Sequence, residues 1–331
     1  MSVRAAIVGC GIMGRRYAAV LHAAPGVELV GYADPDPGAL DGVRRVAPGP
    51  GFADHRTLLA ATRPDAVVVC TPDDLHRDPA IDVLDAGAAL LVEKPLATTV
   101  KDAEAIRRAA ERSGAPAMVG HLLRFDSRYA AARQAVTGGE VGQVLHVHAR
   151  RYAAEADRRR RGPRISALWH LAVHDVDLVR WITGREIVAV AAAGVTGPDG
   201  ALSMAAAHLS LEGGGLATLE VSWALPDAFA GRVWTALTVV GSAGCVDVPS
   251  VHGAVVVHSG AGVVYVDPTR FFESPGLAPQ GALRDETAAF LDMVRGRTAA
   301  PVPLSEGVRA VHIVAALERA LASRAWVTVP V

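Results

Sequence analysis

At 331 residues the chain is long enough for two domains with separate cores, and 51% hydrophobic residues with few aromatics suit a globular α/β protein. A formal net charge of −1 excludes bulk attraction to nucleic acid or to a membrane surface. Cys10, Cys70 and Cys245 are too few and too scattered for a disulfide framework or a metal cluster. No apolar run approaches the length of a membrane span, and the N-terminus enters a strand almost at once, leaving no room for a signal peptide. A reducing, cytoplasmic location is expected.

Ala5-Ala6-Ile7-Val8 is a short apolar run that predicts a buried strand. Gly9-Cys10-Gly11-Ile12-Met13-Gly14 follows at once. A helix is expected over Arg15 to Ala24, and a second strand over Val27 to Tyr32 leads to Asp34. Strand, G-x-G-x-x-G, helix, strand and acid in that order form the fingerprint of dinucleotide binding. Gly9 permits the tight turn, Gly11 lets a pyrophosphate approach bare backbone, and Gly14 lets the helix pack on the strand. Backbone N–H groups at the helix N-terminus, those of Ile12 and Met13 among them, face the phosphates. Asp34 lies 20 residues past Gly14. A carboxylate there accepts hydrogen bonds from a ribose 2′-OH and repels a 2′-phosphate, so the expected cofactor is NAD rather than NADP. Arg15 or Arg16 would weaken that preference by accommodating the phosphate; as ordinary solvated helix residues they leave it intact.

Asp65 to Cys70 reads as a buried parallel strand, and Leu75 to Ala86 as a helix stopped by Gly87. Ala89 to Glu93 is the next strand, Thr99 to Ser113 a helix ending at Gly114, and Ala117 to Gly120 the last strand of the set. Repeated βα units imply a doubly wound parallel sheet with helices on both faces, forming a first domain over residues 1–120. In the second domain, residues 121–331, the pattern changes. A helix is expected over Ser127 to Thr137 and a strand over Val144 to Tyr152. The run Arg158-Arg159-Arg160-Arg161, flanked by Asp157, Gly162 and Pro163, reads as an exposed loop. It is solvated rather than a nucleic-acid patch, since no stacking aromatics or recognition helix accompany it. A helix over Ala167 to Ile182 is stopped by Gly184. Leu216 to Trp223, Val233 to Val240, Cys245 to Val248, Ala254 to His258 and Val263 to Val266 then follow without helices between them, which predicts an antiparallel sheet. Helices over Leu283 to Arg295 and Glu306 to Ser323 close the chain. Leu216, Leu219, Val221, Trp223, Val233, Leu237, Val239 and Val240 give this sheet an apolar face too large to leave exposed. A homodimer or homotetramer through the sheet is therefore expected.

Four further segments carry chemistry. Cys70-Thr71-Pro72-Asp73-Asp74-Leu75-His76 follows the third strand, and Glu93-Lys94-Pro95-Leu96 ends the next one. Gly120-His121-Leu122-Leu123-Arg124-Phe125 opens the second domain, and His174-Asp175-Val176-Asp177-Leu178-Val179-Arg180-Trp181 lies on a helix. With the glycine loop, these segments resemble the Gfo/Idh/MocA oxidoreductases in order and spacing over nearly the whole chain. The resemblance implies a Rossmann domain joined to a domain built on an open, mainly antiparallel sheet. It also implies use of NAD or NADP to oxidise or reduce a carbinol or carbonyl on a sugar, cyclitol or related polyol. It places Thr71, Pro72, His76, Glu93 and Lys94 with the glycine loop in the cofactor site, and it implies a cis peptide at Lys94-Pro95. His76 could equally be a surface residue at a helix N-terminus.

Residue chemistry agrees with that implication. Lys94 ends a parallel strand at the carboxyl edge, where open α/β sheets bind ligands. An ammonium there can hydrogen-bond a substrate oxygen and stabilise developing negative charge. His174 titrates in the range needed to move a carbinol proton. His170 lies four residues earlier on the same helical face. The family commonly has Asp at the position of His170, so two points stay open: which histidine carries the proton, and whether the substrate is a typical polyol. The His-x-x-x-His spacing could hold zinc, but Leu171 is not the Glu of a zinc-protease motif and no third ligand is evident, so no metal is expected. Arg124 suits hydroxyls or a carboxylate, while Tyr152 and Trp169 either wall the substrate pocket or simply pack. The expected activity is that of an NAD(H)-dependent dehydrogenase acting on a polyhydroxylated small molecule. The alternatives are reduction of a C=N or C=C bond, NAD-dependent glycoside cleavage, and nucleotide binding without turnover.

Overall fold

Small β-branched and alanine side chains dominate the apolar runs near the N-terminus. In the computed structural model they form strands β1 (Val3–Val8) and β2 (Val27–Ala33) on either side of helix α1 (Ile12–Ala23). The structure describes residues 2–161, 165–197, 200–229, 233–249, 255–259, 262–266 and 280–330. Strands β3 (Gly51–Phe52), β4 (Ala66–Val69), β5 (Ala89–Glu93) and β6 (Ala117–Gly120) join the first two in the order β3-β2-β1-β4-β5-β6, every pair parallel. β4 and β5 are buried at every residue, as strands covered on both faces must be. The strand order turns back at β1, so the carboxyl ends of β1 and β4 frame the crevice where such sheets bind ligands.

The intervening helices are α2 (Pro37–Arg44), α3 (His55–Thr62), α4 (Arg77–Asp85) and α5 (Val100–Ser113). Side chains of Asp36, Asp54 and Thr99 cap three of them by accepting the N–H groups of Gly38, Thr57 and Asp102. The sequence reading names no element between Asp34 and Asp65. The Asp36-Pro37 pair and Asp54 are the start signals it passes over.

A second group of elements comprises α6 (Ser127–Thr137), β7 (Val144–Ala154), α7 (Glu155–Arg161), a π-helical turn (Leu168–Ala172) and α8 (Val173–Thr183). β8 (Ile187–Thr196), β9 (Leu202–Leu211), β10 (Leu216–Leu225), β11 (Val233–Gly241) and β12 (Cys245–Val248) complete the main run. Two more strands, β13 (Val255–Ser259) and β14 (Gly262–Val266), are followed by α9 (Ala282–Val294), α10 (Leu304–Ser323) and β15 (Val327–Thr328). The large sheet has the order β12-β11-β7-β10-β9-β8-β15. It is mainly antiparallel, but β7 and β10 run parallel at its centre.

Three expectations need correction. The arginine run is not a loop: Arg158 to Arg161 end α7, where Arg158 and Arg159 pair with Glu155 and Arg160 with Asp157 at helical spacing. Gly162 and Pro163 lie outside the described residues. Among the described residues, β13 and β14 do not continue the large sheet but pair with each other. Finally, the apolar stripe is not an open face. Leu219, Val221, Trp223, Leu237 and Val239 are buried, and the π turn and α8 pack against this sheet through β10 and β7, whereas Val233 is half-exposed and Leu216 and Val240 are exposed. The opposite face is mainly polar, with His146, His148, Arg150, Tyr152, Thr218, Glu220 and Trp234 half-exposed and Leu216 and Val240 exposed beside them.

The chain divides into two compact units, Met1–Leu122 with Phe271–Val311, and Leu123–Arg270 with His312–Val331. Strand–helix alternation alone puts residues 121–331 together, but α9 packs on α1 within the first unit. No helix among the described residues is long and apolar enough to cross a membrane.

Candidate active site

The glycine loop is shaped by what its neighbours forbid. Gly9 has φ +91°, and a Cβ there would stand 2.5 Å from the backbone of Cys70. Its N–H donates to Ala33 O at 2.8 Å. A Cβ on Gly14 would run into the carbonyl oxygen of Gly9. Gly11 differs, because a Cβ there would meet nothing within 4 Å. Gly11 is also the N-cap of α1, and no side chain caps that end. The result is a bare backbone cradle at a helix N-terminus, the arrangement that accepts a phosphate. Asp34 is pinned beside it: Oδ2 accepts the N–H of Cys10 at 2.7 Å and Oδ1 accepts the N–H of Asp36 at 2.9 Å. Each carboxylate oxygen keeps a lone pair for a further donor. Burial, then the charge of Asp34, pushes the Cys10 thiol up to about 12, so this cysteine is inert. An open depression of ≈ 260 Å³ is lined by Ile12, Arg15, Arg16, Ala19 and Val46.

The loops after β4 and β5 lie side by side, since Val69 pairs with Val92. His76 joins them. It is 1% exposed, with Nδ1 2.7 Å from Pro95 O and Nε2 3.0 Å from Thr71 O. Burial pushes its pKa down, favouring the neutral ring. The neutral ring sits between the two loops and donates its single N–H to one of these carbonyls, while Pro72 is exposed and Thr71 half-exposed. The Lys94-Pro95 bond is cis. Lys94 and Glu93 are both buried, and Glu93 Oε2 accepts the backbone N–H of Lys94 at 3.1 Å.

Tyr17 and Glu286, which the sequence reading misses, form a hydrogen bond of 2.7 Å in the same unit. Burial pushes both Glu286 and Glu93 above the usual carboxyl range, and each raises the other further or sits near a group that does so. The one signal for Glu286 in the sequence is an acid on the apolar face of its helix, among Leu283, Thr287 and Phe290.

In the second unit, the stretch from Ala167 to Arg180 is buried everywhere except at His170 and His174, which are half-exposed. The acids of this stretch are taken by arginines. Asp175 holds Arg151 at 2.8 and 3.0 Å, and Asp177 holds Arg124 at 2.6 and 3.0 Å. The π turn ends at Ala172, between the two histidines; such extra-residue turns recur at functional sites. His170 stacks on Trp223 with ring centroids 5.3 Å apart and planes 15° apart.

The structure therefore brings Gly9, Gly11, Ile12, Met13, Gly14 and Asp34 together in one cradle. It sets Thr71, Pro72, His76, Glu93 and Lys94 along one sheet edge, and, where one helix is expected over Ala167 to Ile182, it puts His170 on the π turn and His174 on α8 that continues it. The remaining sequence candidates are engaged elsewhere. The Arg124 guanidinium grips Asp177 in a two-point fork. Trp169 donates its indole N–H to Glu318 at 2.7 Å. Tyr152 points to the polar face of the sheet, where its hydroxyl donates to Glu220; its neighbour Arg151 is buried on the other side. Register explains the last point, since successive strand residues face opposite ways.

Comparison with known proteins adds to this geometry. Residues 3–121 match the Gfo/Idh/MocA oxidoreductase family with an NAD-binding Rossmann fold, and residues 129–247 match the C-terminal domain of the same family. The chain is 31% identical over 207 residues to inositol 2-dehydrogenase 2 of Saccharopolyspora erythraea, a match spanning 60% of each chain and so less than two thirds of that relative's length. It is 30% identical over 259 residues to the inositol 2-dehydrogenase of Rubrobacter xylanophilus, covering 76% of this chain and 72% of that one. The fold is shared with the scyllo-inositol dehydrogenase of Lactobacillus casei, solved with NAD(H) and scyllo-inositol, at TM-score 0.84 and 21% identity over 99% of both chains.

Proposed function

Since the chain belongs to the Gfo/Idh/MocA oxidoreductases, with their NAD-binding Rossmann fold, we propose that it oxidises a ring carbinol of an inositol or similar polyol with NAD, or runs the reverse reduction. The observation that carries this reading is the pair of half-exposed histidines on an otherwise buried helix stretch. The residues present fit the dinucleotide: Gly11 leaves the cradle open and α1 has no capping side chain. Gly9 to Gly14, with the N–H groups of Ile12 and Met13, hold the pyrophosphate, and Asp34 holds the adenosine ribose. Thr71 and Pro72 line the cofactor, on a loop that His76 abuts. When bound, NAD supplies the hydride acceptor. Lys94 donates a hydrogen bond to the reacting oxygen and stabilises the negative charge that grows there. His174 takes the proton from that oxygen, and His170, held flat on Trp223, binds a neighbouring hydroxyl or orients its partner.

The test is a panel of myo- and scyllo-inositol, aldoses, keto-sugars and imines, followed at the nicotinamide absorbance with both cofactors. NADH is expected to form with at least one cyclitol. Turnover confined to imines would replace this reading with C=N reduction. Release of an alcohol without net change in nicotinamide absorbance would point to glycoside cleavage.

Cofactor choice is open to a separate check. Asp34→Ala is expected to weaken NADH binding and narrow its advantage over NADPH, because the carboxylate both binds the ribose and repels a 2′-phosphate. Affinity titrations measure it. An unmodified protein that binds NADPH more tightly than NADH would shift the assignment to Arg15 or Arg16.

Self-association through the large sheet, as a homodimer or homotetramer, is part of the same proposal. The face involved is the polar one, where Arg150 stacks over Trp234 at 4.3 Å and Tyr152 meets Trp234 edge-on at 5.7 Å. Tyrosine, tryptophan and arginine are the residues enriched in interface cores. Burial, then the nearby His148 and His208, pushes His146 below the usual imidazole range. Its lowered pKa means that stability is present above about pH 6.5 and is lost as pH falls through the folded value. Light scattering at micromolar concentration is expected to give a dimer or tetramer mass at neutral pH and a smaller mass on acidification, as like charges build up on one face. A purely monomeric mass at neutral pH refutes the assembly.

A further inference from the structure

Tyr17 and Glu286 lie 269 positions apart in the sequence and meet with no exposed surface on either residue. Tyr17 Oη and Glu286 Oε2 are 2.7 Å apart. The same phenol faces Glu93. A Cβ on Gly120 would stand 3.4 Å from Glu93 Cα and 3.5 Å from Tyr17 Oη, which shows how near the hydroxyl comes to that strand end. One oxygen of each carboxyl, Glu93 Oε1 and Glu286 Oε1, is buried and accepts no hydrogen bond. Two carboxyls buried around one phenol cannot both ionise without strong repulsion, so the cluster must retain a proton.

Which carboxyl keeps the proton follows from the neighbours. Lys94 acts on Glu93 and favours its anion. Glu286 faces Glu93, Tyr17 and the thiol of Cys70. Asp73 and His76 stand on the loop side of the cluster, where Asp73 acts on Glu93 and His76 feels both Asp73 and Lys94. We propose that Glu286 is a positioning residue: it holds the cluster's proton, frees the Tyr17 hydroxyl to donate to Glu93, and so keeps Glu93 an anion locked beside Lys94. The relay then runs from Glu286 O–H to Tyr17 Oη, and from Tyr17 O–H to the Glu93 carboxylate. This rests on the reading that Lys94 polarises the reacting oxygen, because the relay acts only through that ammonium. Burial supports the assignment by pushing Glu286 well above the usual carboxyl range. A raised folded value contributes stability that is complete at acid pH and is lost as pH rises through that value.

The experiment compares Glu286→Gln, Glu286→Leu and Tyr17→Phe in the full chain. Its first readout is independent of turnover: the infrared C=O stretch of a protonated carboxyl at neutral pH, in protein without substrate. That band is expected in the unmodified protein and absent from Glu286→Gln. The second readout is kcat, KM and the pH profile with NAD and a cyclitol. Glu286→Leu and Tyr17→Phe are expected to lower kcat by about tenfold with little change in NADH affinity, the scale of a slightly misplaced catalytic group. Glu286→Gln, a neutral hydrogen-bonding side chain, is expected to recover most of that loss and to flatten the fall of melting temperature at alkaline pH. If Glu286→Leu does not fold, Tyr17→Phe decides. Absence of the infrared band, or a kcat loss in Glu286→Gln equal to that in Glu286→Leu, overturns the proposal. If no cyclitol is turned over by the unmodified protein, the functional reading fails, and the infrared band with the melting profile still decides where the proton sits.

Discussion

Replacing Lys94 or His174 with alanine is expected to lower the turnover of a polyol by about a hundredfold or more, the usual scale for an electrostatic donor or a positioned acid–base group. Lys94 is 8% exposed and lies beside a buried carboxyl, so its charge acts where water screens it least. His174 is one of only two residues that break the burial of the helix stretch from Ala167 to Arg180. NADH affinity should barely change in either variant, because the dinucleotide rests on Gly9 to Gly14 and Asp34. His170→Ala should cost less, since its ring lies on Trp223 and acts beside the proton carrier. His170→Asp restores the commoner family residue and should keep the fold. The pH–rate profiles of the single variants on one substrate distinguish the roles. If His170→Ala abolishes turnover while His174→Ala leaves it near normal, the two histidines exchange assignments.

The glycine loop yields the second large effect, and it separates binding from folding. Gly11→Ala adds a methyl where nothing lies within 4 Å, at a backbone φ of −66° and a ψ of −156° that lies a little past the extended region, a small cost beside the collisions at Gly9 and Gly14. The variant should melt near the unmodified protein. Yet the methyl stands where the pyrophosphate must approach, so NADH affinity is expected to fall about a hundredfold, or about 2.7 kcal/mol. Gly14→Ala behaves differently, because its methyl collides with the Gly9 carbonyl and overpacking of that kind costs about 1–3 kcal/mol of stability. Gly9→Ala meets the Cys70 backbone and a positive φ together. Melting curves paired with NADH titrations of the three variants show the split. Unchanged NADH affinity in Gly11→Ala would remove the pyrophosphate from this loop.

Local patterns carry much of this protein. The helix over Ser127 to Thr137 and the strands Ala89 to Glu93 and Ala117 to Gly120 fall where periodicity and glycine stops put them. The cradle is equally local, since its shape depends on three glycines in six residues. What escapes sequence reading depends on partners far along the chain. Arg124 suits a substrate until Asp177, 53 positions later, fills its fork. Trp169 suits a pocket wall until Glu318 takes its N–H. Tyr152 has the right chemistry for a substrate, but its place in the alternation of β7 sends it to the opposite face from Trp223. Four consecutive arginines resemble a loop because their helix pairs, Glu155 and Asp157, precede them and neutralise the charge only once α7 has formed.

The packing of α9 on α1 sets an order of events during synthesis. Translation delivers the N-terminus first, at about 5–20 residues per second, and domains ordinarily fold as they emerge. Here all six parallel strands are made long before Glu286, yet Tyr17 lacks its bond to Glu286 until α9 is made. The newborn sheet must therefore wait, with α1 incompletely covered, while the ribosome makes β7 to β12 of the second unit's main sheet. A chain cut anywhere between β6 and Ala282 would carry the complete glycine loop and still lack a finished core. Residues 1–120 excised as a nucleotide-binding cassette would inherit that defect, whereas a fusion that also carries residues 282–294 would supply the missing helix.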